Sequence, residues 1–194
     1  MNVTADRTLL THEPFAAPLV RLALKPEGPP TGLLDGAWWP HSRNLLRELP
    51  TLAAVLDPLW GRVTRISVNP AHWPAVPRKV PVGGHVIKVG WFKDEQDEHE
   101  LVLLSYRTRR WNLLVIPPGA TAATAARLMA AATDPSVRLT ASALLAEDHA
   151  ARTAATGRRV QEEEWESDGG TFRKACVTAP AAPLTAHPGR TRTP

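Results

Sequence analysis

Few residues in this 194-residue chain stand in a pattern that does chemistry by itself. His41 and Ser42 set a base beside a hydroxyl. Neighbours at a helix start do not face each other, however, and no G-x-S-x-G turn surrounds the serine. Ser42 is better read as the cap of the helix that follows. His72, His85, His99 and His149 are scattered, with no H-x-x-x-H or H-E-x-x-H spacing. We therefore expect no metal site, no cofactor and no catalytic set. Gly83-Gly84 follows Val80-Pro81-Val82 and precedes a strand pattern rather than a helix, so it reads as a turn and not as a phosphate loop. The acidic run Asp94, Glu95, Asp97 and Glu98 has calcium-type ligands without the glycine and spacing of an EF-hand.

Two residue sets remain as binding candidates. Asp35, Trp38, Trp39, His41 and Arg43 would make a small-molecule cleft if they converged, since aromatic walls with a few polar groups are what such clefts use. The plainer role for Trp38 and Trp39 is a staple at the helix start, where aromatic area is favourably buried. On an extended backbone the two rings would point to opposite faces. Arg107, Arg109 and Arg110 form a basic turn that could hold a polyanion. The acidic run sits at the other end of the intervening strand, roughly 27 Å away for eight residues. The plainer reading of both is two solvated tips. Gln161–Glu166, acidic around Trp165, could dock on the arginine turn or on a partner, or simply be a solvated linker.

These groups depend on elements that hydrophobic patterning locates. Val20, Leu22 and Leu24 alternate with polar residues as a half-buried strand does. Leu45, Leu49, Leu52, Leu56 and Leu59 make one helical stripe over residues 41–60, with a break expected at Pro50 and closure at Gly61. Strands follow at 62–68, 85–92, 99–106 and 111–116, joined tightly enough to be antiparallel. Residues 101–104 and 113–116 are apolar on both faces, so helices or a second copy of the chain must cover both. Thr121 is placed to cap a helix through residue 132, and a last helix spans 140–153.

Composition sets the frame. Apolar residues make up 43% of the chain, which is enough for one core. The net charge is +4 and the pI about 9.7, partly from Arg158, Arg159, Arg190 and Arg192. This gives weak attraction to nucleic acid, without a recognition signature. The single Cys176 supports neither a disulfide framework nor a thiolate site. With no signal-peptide pattern and no membrane-length apolar run, a cytoplasmic location is expected.

The block Gly36-Ala37-Trp38-Trp39-Pro40-His41-Ser42, with Trp73, the Leu-Leu-Val-Ile-Pro-Pro run at 113–118 and Trp-Glu-Ser-Asp-Gly-Gly at 165–170, resembles a family of small uncharacterised bacterial proteins common in actinobacteria. The resemblance covers roughly residues 18–170 and implies an α+β domain with no activity to carry over. The expected architecture is α+β: an antiparallel sheet of about five strands with two or three helices. A mobile arm at 1–18 precedes a domain at 19–155, and an acidic linker and disordered basic tail follow at 156–194. The expected role is a non-enzymatic binding or interaction domain, with self-association through a sheet face as one form of it; the alternatives are a small-molecule enzyme with a cleft near Asp35, Trp39, His41 and Arg43, and a nonspecific nucleic-acid binder using Arg107, Arg109, Arg110 and the tail.

Overall fold

The computed structural model describes residues 19–26, 32–106 and 109–167. In chain order these form β1 (Leu22–Leu24), β2 (Gly36–Trp38), α1 (Leu45–Trp60), β3 (Val63–Val68), a 3₁₀ turn (Pro70–His72), β4 (Lys79–Val82), β5 (His85–Trp91), β6 (Glu100–Ser105), β7 (Arg110–Val115), α2 (Ala122–Thr133) and α3 (Ala141–Ser167). The chain falls into two units, Met1–Ala154 and Ala155–Pro194. No helix among the described residues is long and apolar enough to cross a membrane. The expected arm at 1–18, Cys176 and the tail beyond 167 lie outside the described residues.

The α+β class holds, but the sheet is larger than five strands and it is mixed rather than antiparallel. Its order is β1-β2-β7-β6-β3-β5-β4, with β2–β7 and β3–β5 parallel. The two added strands are short. β2 has three residues and β4 has four, one of them Pro81, and strands so brief leave little alternation to read. Their insertion changes the pairing. From β3 the chain crosses to the edge as β4, then returns between them as β5. The hairpin is closed by Gly83 and Gly84, with Gly84 at φ 81°, a conformation that suits glycine. Thus β3 separates β5 from β6, although the loop joining those two is short.

The two-faced apolar strands meet apolar layers on both sides. Leu101, Leu103, Leu113 and Val115 join the α1 leucines, Ile66, Val80 and Ile87 on one face. Leu114, Ile116 and Ala37 join Ala125, Leu128, Ala132 and Leu144 of α2 and α3 on the other. Alternation along a strand separates the sets. Stacked Trp60–Trp111 (3.9 Å, 5°) and Trp38–Trp73 (5.9 Å, 18°) complete the α1 side.

α1 runs unbroken through Pro50 and Pro58, contrary to the expected break. Pro50 has no N–H for the Leu46 carbonyl one turn back. Leu46 is exposed, so water can reach that end of the helix. Leu45, Leu49, Leu52 and Leu56 are buried as the stripe requires, whereas Leu59 is exposed. Ser42 is not the N-cap. That position is Asn44, which makes no side-chain cap bond. Instead the buried Glu48 reaches back to accept from the His41 N–H (3.0 Å) and the Ser42 hydroxyl (2.7 Å). Glu48→Ala leaves both donors unpaired in a part-buried setting. We expect a loss of about 1–3 kcal/mol in urea unfolding. A loss below about 0.5 kcal/mol, the usual range for surface substitutions, would show that water replaces the carboxylate.

Thr121 caps α2 as expected, accepting from the Thr124 N–H at 3.2 Å. α3 extends to Ser167, well past the expected end near residue 153. Residues 149–163 are exposed throughout, so local preferences hold this stretch. Alanines occupy 150, 151, 154 and 155, and Arg158/Glu162 and Arg159/Glu163 stand four apart, where opposite charges support a helix.

Candidate metal centre

The site begins where β3 ends. Asn69 is buried, and its Nδ2 donates to the Lys93 (2.8 Å) and Gln96 (2.9 Å) carbonyls. Its Oδ1 accepts from the Ala71 N–H at 3.0 Å and starts the 3₁₀ turn. One side chain thus ties the turn that carries His72 to the loop that carries Glu98. Gln96 secures that loop from the other side, donating to the Ser67 and Glu100 carbonyls (2.9 and 2.8 Å) and accepting from the Ser67 hydroxyl (2.6 Å).

Asp97 anchors the loop to α3. It accepts from the His99 N–H (2.9 Å), the Ser142 hydroxyl (2.6 Å) and the Ser142 N–H (3.0 Å). Burial pushes this carboxyl up, but the Ser142 and His99 hydrogen bonds outweigh it and hold it below the ordinary carboxylate value. A carboxylate bonded to the first turn of a helix, as Asp97 is to Ser142, also faces the positive end of its dipole. Asp97, expected as part of a solvated acidic tip, and Gln96 in the same loop are therefore structural fasteners.

These fasteners set three metal-ligating side chains side by side. Ligand atoms of His72, Glu98 and His99 all lie within 4.8 Å of one another. The two imidazoles are 4.1 Å apart between centroids at 33°, and His72 Nε2 is 3.7 Å from a Glu98 carboxylate oxygen. His72 Nε2 is buried and has no hydrogen-bond partner. Desolvation lowers the pKa of His72, with Glu98 opposing and Arg43 adding to the fall. Desolvation also lowers His99, and His72 adds to it, while Asp97, Glu98 and a backbone hydrogen bond to Val115 oppose. Both rings are thus kept neutral near pH 7, the form that ligates metal.

The donor set fits a divalent transition ion. Two imidazoles and a carboxylate suit zinc and its neighbours and are too nitrogen-rich for magnesium or calcium. Ligands about 2.1 Å from one ion stand at most about 4.2 Å apart, so side-chain rotations of well under 1 Å each would close the cluster. Arg43 lines a small pocket with His72, Trp73 and His99. An open cleft beside Glu98 and His99 runs between Pro117, Thr124, Ser142 and Asp148.

The residues singled out from sequence are distributed differently. Asp35 lies before β2 and accepts from the Asn112 N–H (2.7 Å). His41 lies beyond the other end of β2, its ring bonded to the Leu19 carbonyl (3.0 Å). The structure does not bring these two together. Trp38 and Trp39 are not a joint staple: Trp38 is buried in the α1 core, and Trp39 packs on the opposite core with Arg21 3.5 Å over its ring. Arg43 is the member of the set that reaches the histidine pair. Arg109 stacks on Trp111 at 4.2 Å and Arg110 donates to Asn112 (2.9 Å). Arg107 lies outside the described residues.

Spacing rules had no means of pairing His72 with Glu98-His99 across 25 intervening positions. The usable signal was Asn69-Pro70-Ala71-His72-Trp73, a turn that ends on a histidine beside a buried tryptophan. A family model described as a family of unknown function, DUF5994, matches residues 21–132, a span that contains all three ligands and Arg43. No curated protein and no solved structure matches the chain.

Proposed function

The chain belongs to this DUF5994 family of unknown function, and from the geometry we propose that it is a metal-binding domain whose His72, Glu98 and His99 hold one divalent transition ion. The observation that carries the proposal is His72 Nε2, buried without a partner and facing a carboxylate and a second neutral imidazole. A buried polar atom with no partner costs about 1–3 kcal/mol, and a bound ion removes that cost. Three protein ligands leave at least one coordination position for a water or a small ligand. Arg43, which faces the same pocket, favours an anionic ligand there. This is the expected binding role given a chemistry, with recognition through metal and guanidinium together.

Cobalt titration tests it. Metal-stripped protein titrated with Co²⁺ is expected to show visible absorption saturating at one ion per chain, displaced by one equivalent of Zn²⁺. Absence of saturable absorption, together with zinc that fails to raise the melting temperature, would refute the site.

A further inference from the structure

The two apolar layers leave one part of the sheet without a helix. α1 packs against β4 and β3 on one face, and α2 packs against β2 and β1 on the other. The α2-side face of β4, β5 and β3 is consequently exposed. Register places one cross-strand row on it: Lys79 opposite Lys88, Lys88 opposite Arg65, Arg65 opposite Leu104, and Leu104 opposite Arg110. Directly opposed residues share a face. Their neighbours Val80, Ile87, Val89, Ile66 and Leu103 belong to the α1 core, so the row points the other way. All five side chains are exposed.

Strands stand about 4.8 Å apart, so four cations span about 19 Å in a line across the strands. Like charges directly opposed destabilise a sheet. The ion pairs among the described residues involve none of the four, and Arg110 feels the field of Glu100 and donates to Asn112 without a salt bridge to either. An unneutralised row calls for an anion of matching length. Flat apolar groups flank the row just beyond the ends of β5 and β6. Phe92 lies over Gly90 and is half exposed, and Tyr106, two residues beyond Leu104, is 83% exposed.

We propose that this open face binds single-stranded nucleic acid, with Lys79, Lys88, Arg65 and Arg110 along the phosphates and Phe92 and Tyr106 stacking bases. An acidic polypeptide would match the charge but make no use of exposed rings. Rings beside a basic track are what unpaired bases select. The site is separate from the metal ligands and stands or falls without them.

Fluorescence anisotropy of the full chain with a labelled 20-nucleotide oligo-dT tests the proposal. Four phosphate contacts to a single strand predict a log–log salt slope of about −2.8, hence affinity about 50-fold weaker at 200 than at 50 mM salt. Arg65→Gln with Lys88→Gln is expected to halve the slope, so that the same salt step costs about 7-fold. Phe92→Ala with Tyr106→Ala should weaken binding at an unchanged slope, with circular dichroism as the check on folding. Wild-type affinity in the Arg65→Gln/Lys88→Gln variant would overturn the proposal, because cations elsewhere would then hold the strand. So would equal competition by poly-glutamate combined with no effect of the aromatic changes, which would make the occupant an acidic polypeptide.

Discussion

Alanine at His72 or at His99 is expected to lower zinc affinity about a hundredfold or more, since either change leaves two protein ligands where three converge. Loss of an outer-sphere contact alone costs about 10–100-fold, and loss of a ligand exceeds that. The effect on the metal-free protein should be small. His72 Nε2 makes no hydrogen bond there, so removing it relieves a desolvation cost while some ring packing against His99 is lost. The balance should fall within about 1 kcal/mol. With metal at a hundred times its dissociation constant, wild-type protein gains about 2.7 kcal/mol, and each variant should lose that gain. Competition against a chromophoric chelator measures the affinity, and urea unfolding with and without zinc measures the gain. Unchanged affinity in both His72→Ala and His99→Ala would remove the site from consideration.

Gly36→Ala should be among the most destabilising single-methyl additions in the chain. A Cβ at this position would stand 2.2 Å from the Ala23 carbonyl oxygen and 2.9 Å from the Leu24 Cα. Both are backbone atoms of β1, so no side-chain rotation relieves the clash. β1 pairs with β2 through Leu22–Trp38, Ala23–Ala37 and Leu24–Gly36, and it must move away as a whole or lose the last of these pairs. Overpacking typically costs about 1–3 kcal/mol, and a rigid backbone obstacle puts this case at about 3. The shift also disturbs Trp38, which is buried against Trp73, the neighbour of His72. A urea midpoint within error of wild type would mean that β1 can separate from β2 at no cost. Gly83→Ala, where nothing lies within 4 Å of an added Cβ, is the comparison that should be nearly silent.

The two predictions draw on different kinds of information. Gly36 stands in a conspicuous block, yet its spacing to Trp38 explains nothing until β1 is laid against β2. The close approach is a property of two segments, and only one of them carries the motif. The histidine pair is more remote still. Neighbouring residues such as His41 and Ser42 attract attention because a sequence displays adjacency along the chain, whereas His72 and His99 meet through Asn69 and its bonds to Lys93 and Gln96.

By itself the sequence determined what depends on local repetition. The leucine stripe fixed the buried face of α1, alternation located β1 and β3, strand-like apolar runs at hairpin spacing located β5, β6 and β7, and Thr121 capped α2. Apolar runs on both faces of β6 and β7 required cover on both sides, and α1 on one face with α2 and α3 on the other provide it. Tertiary structure decided the strand order, the parallel pairings, the continuity of α1 through Pro50 and the meeting of His72 with Glu98 and His99. The physical reason is range. Periodicity reports which face of one element is apolar, while register, close approach and ligand convergence depend on which distant element lies against that face.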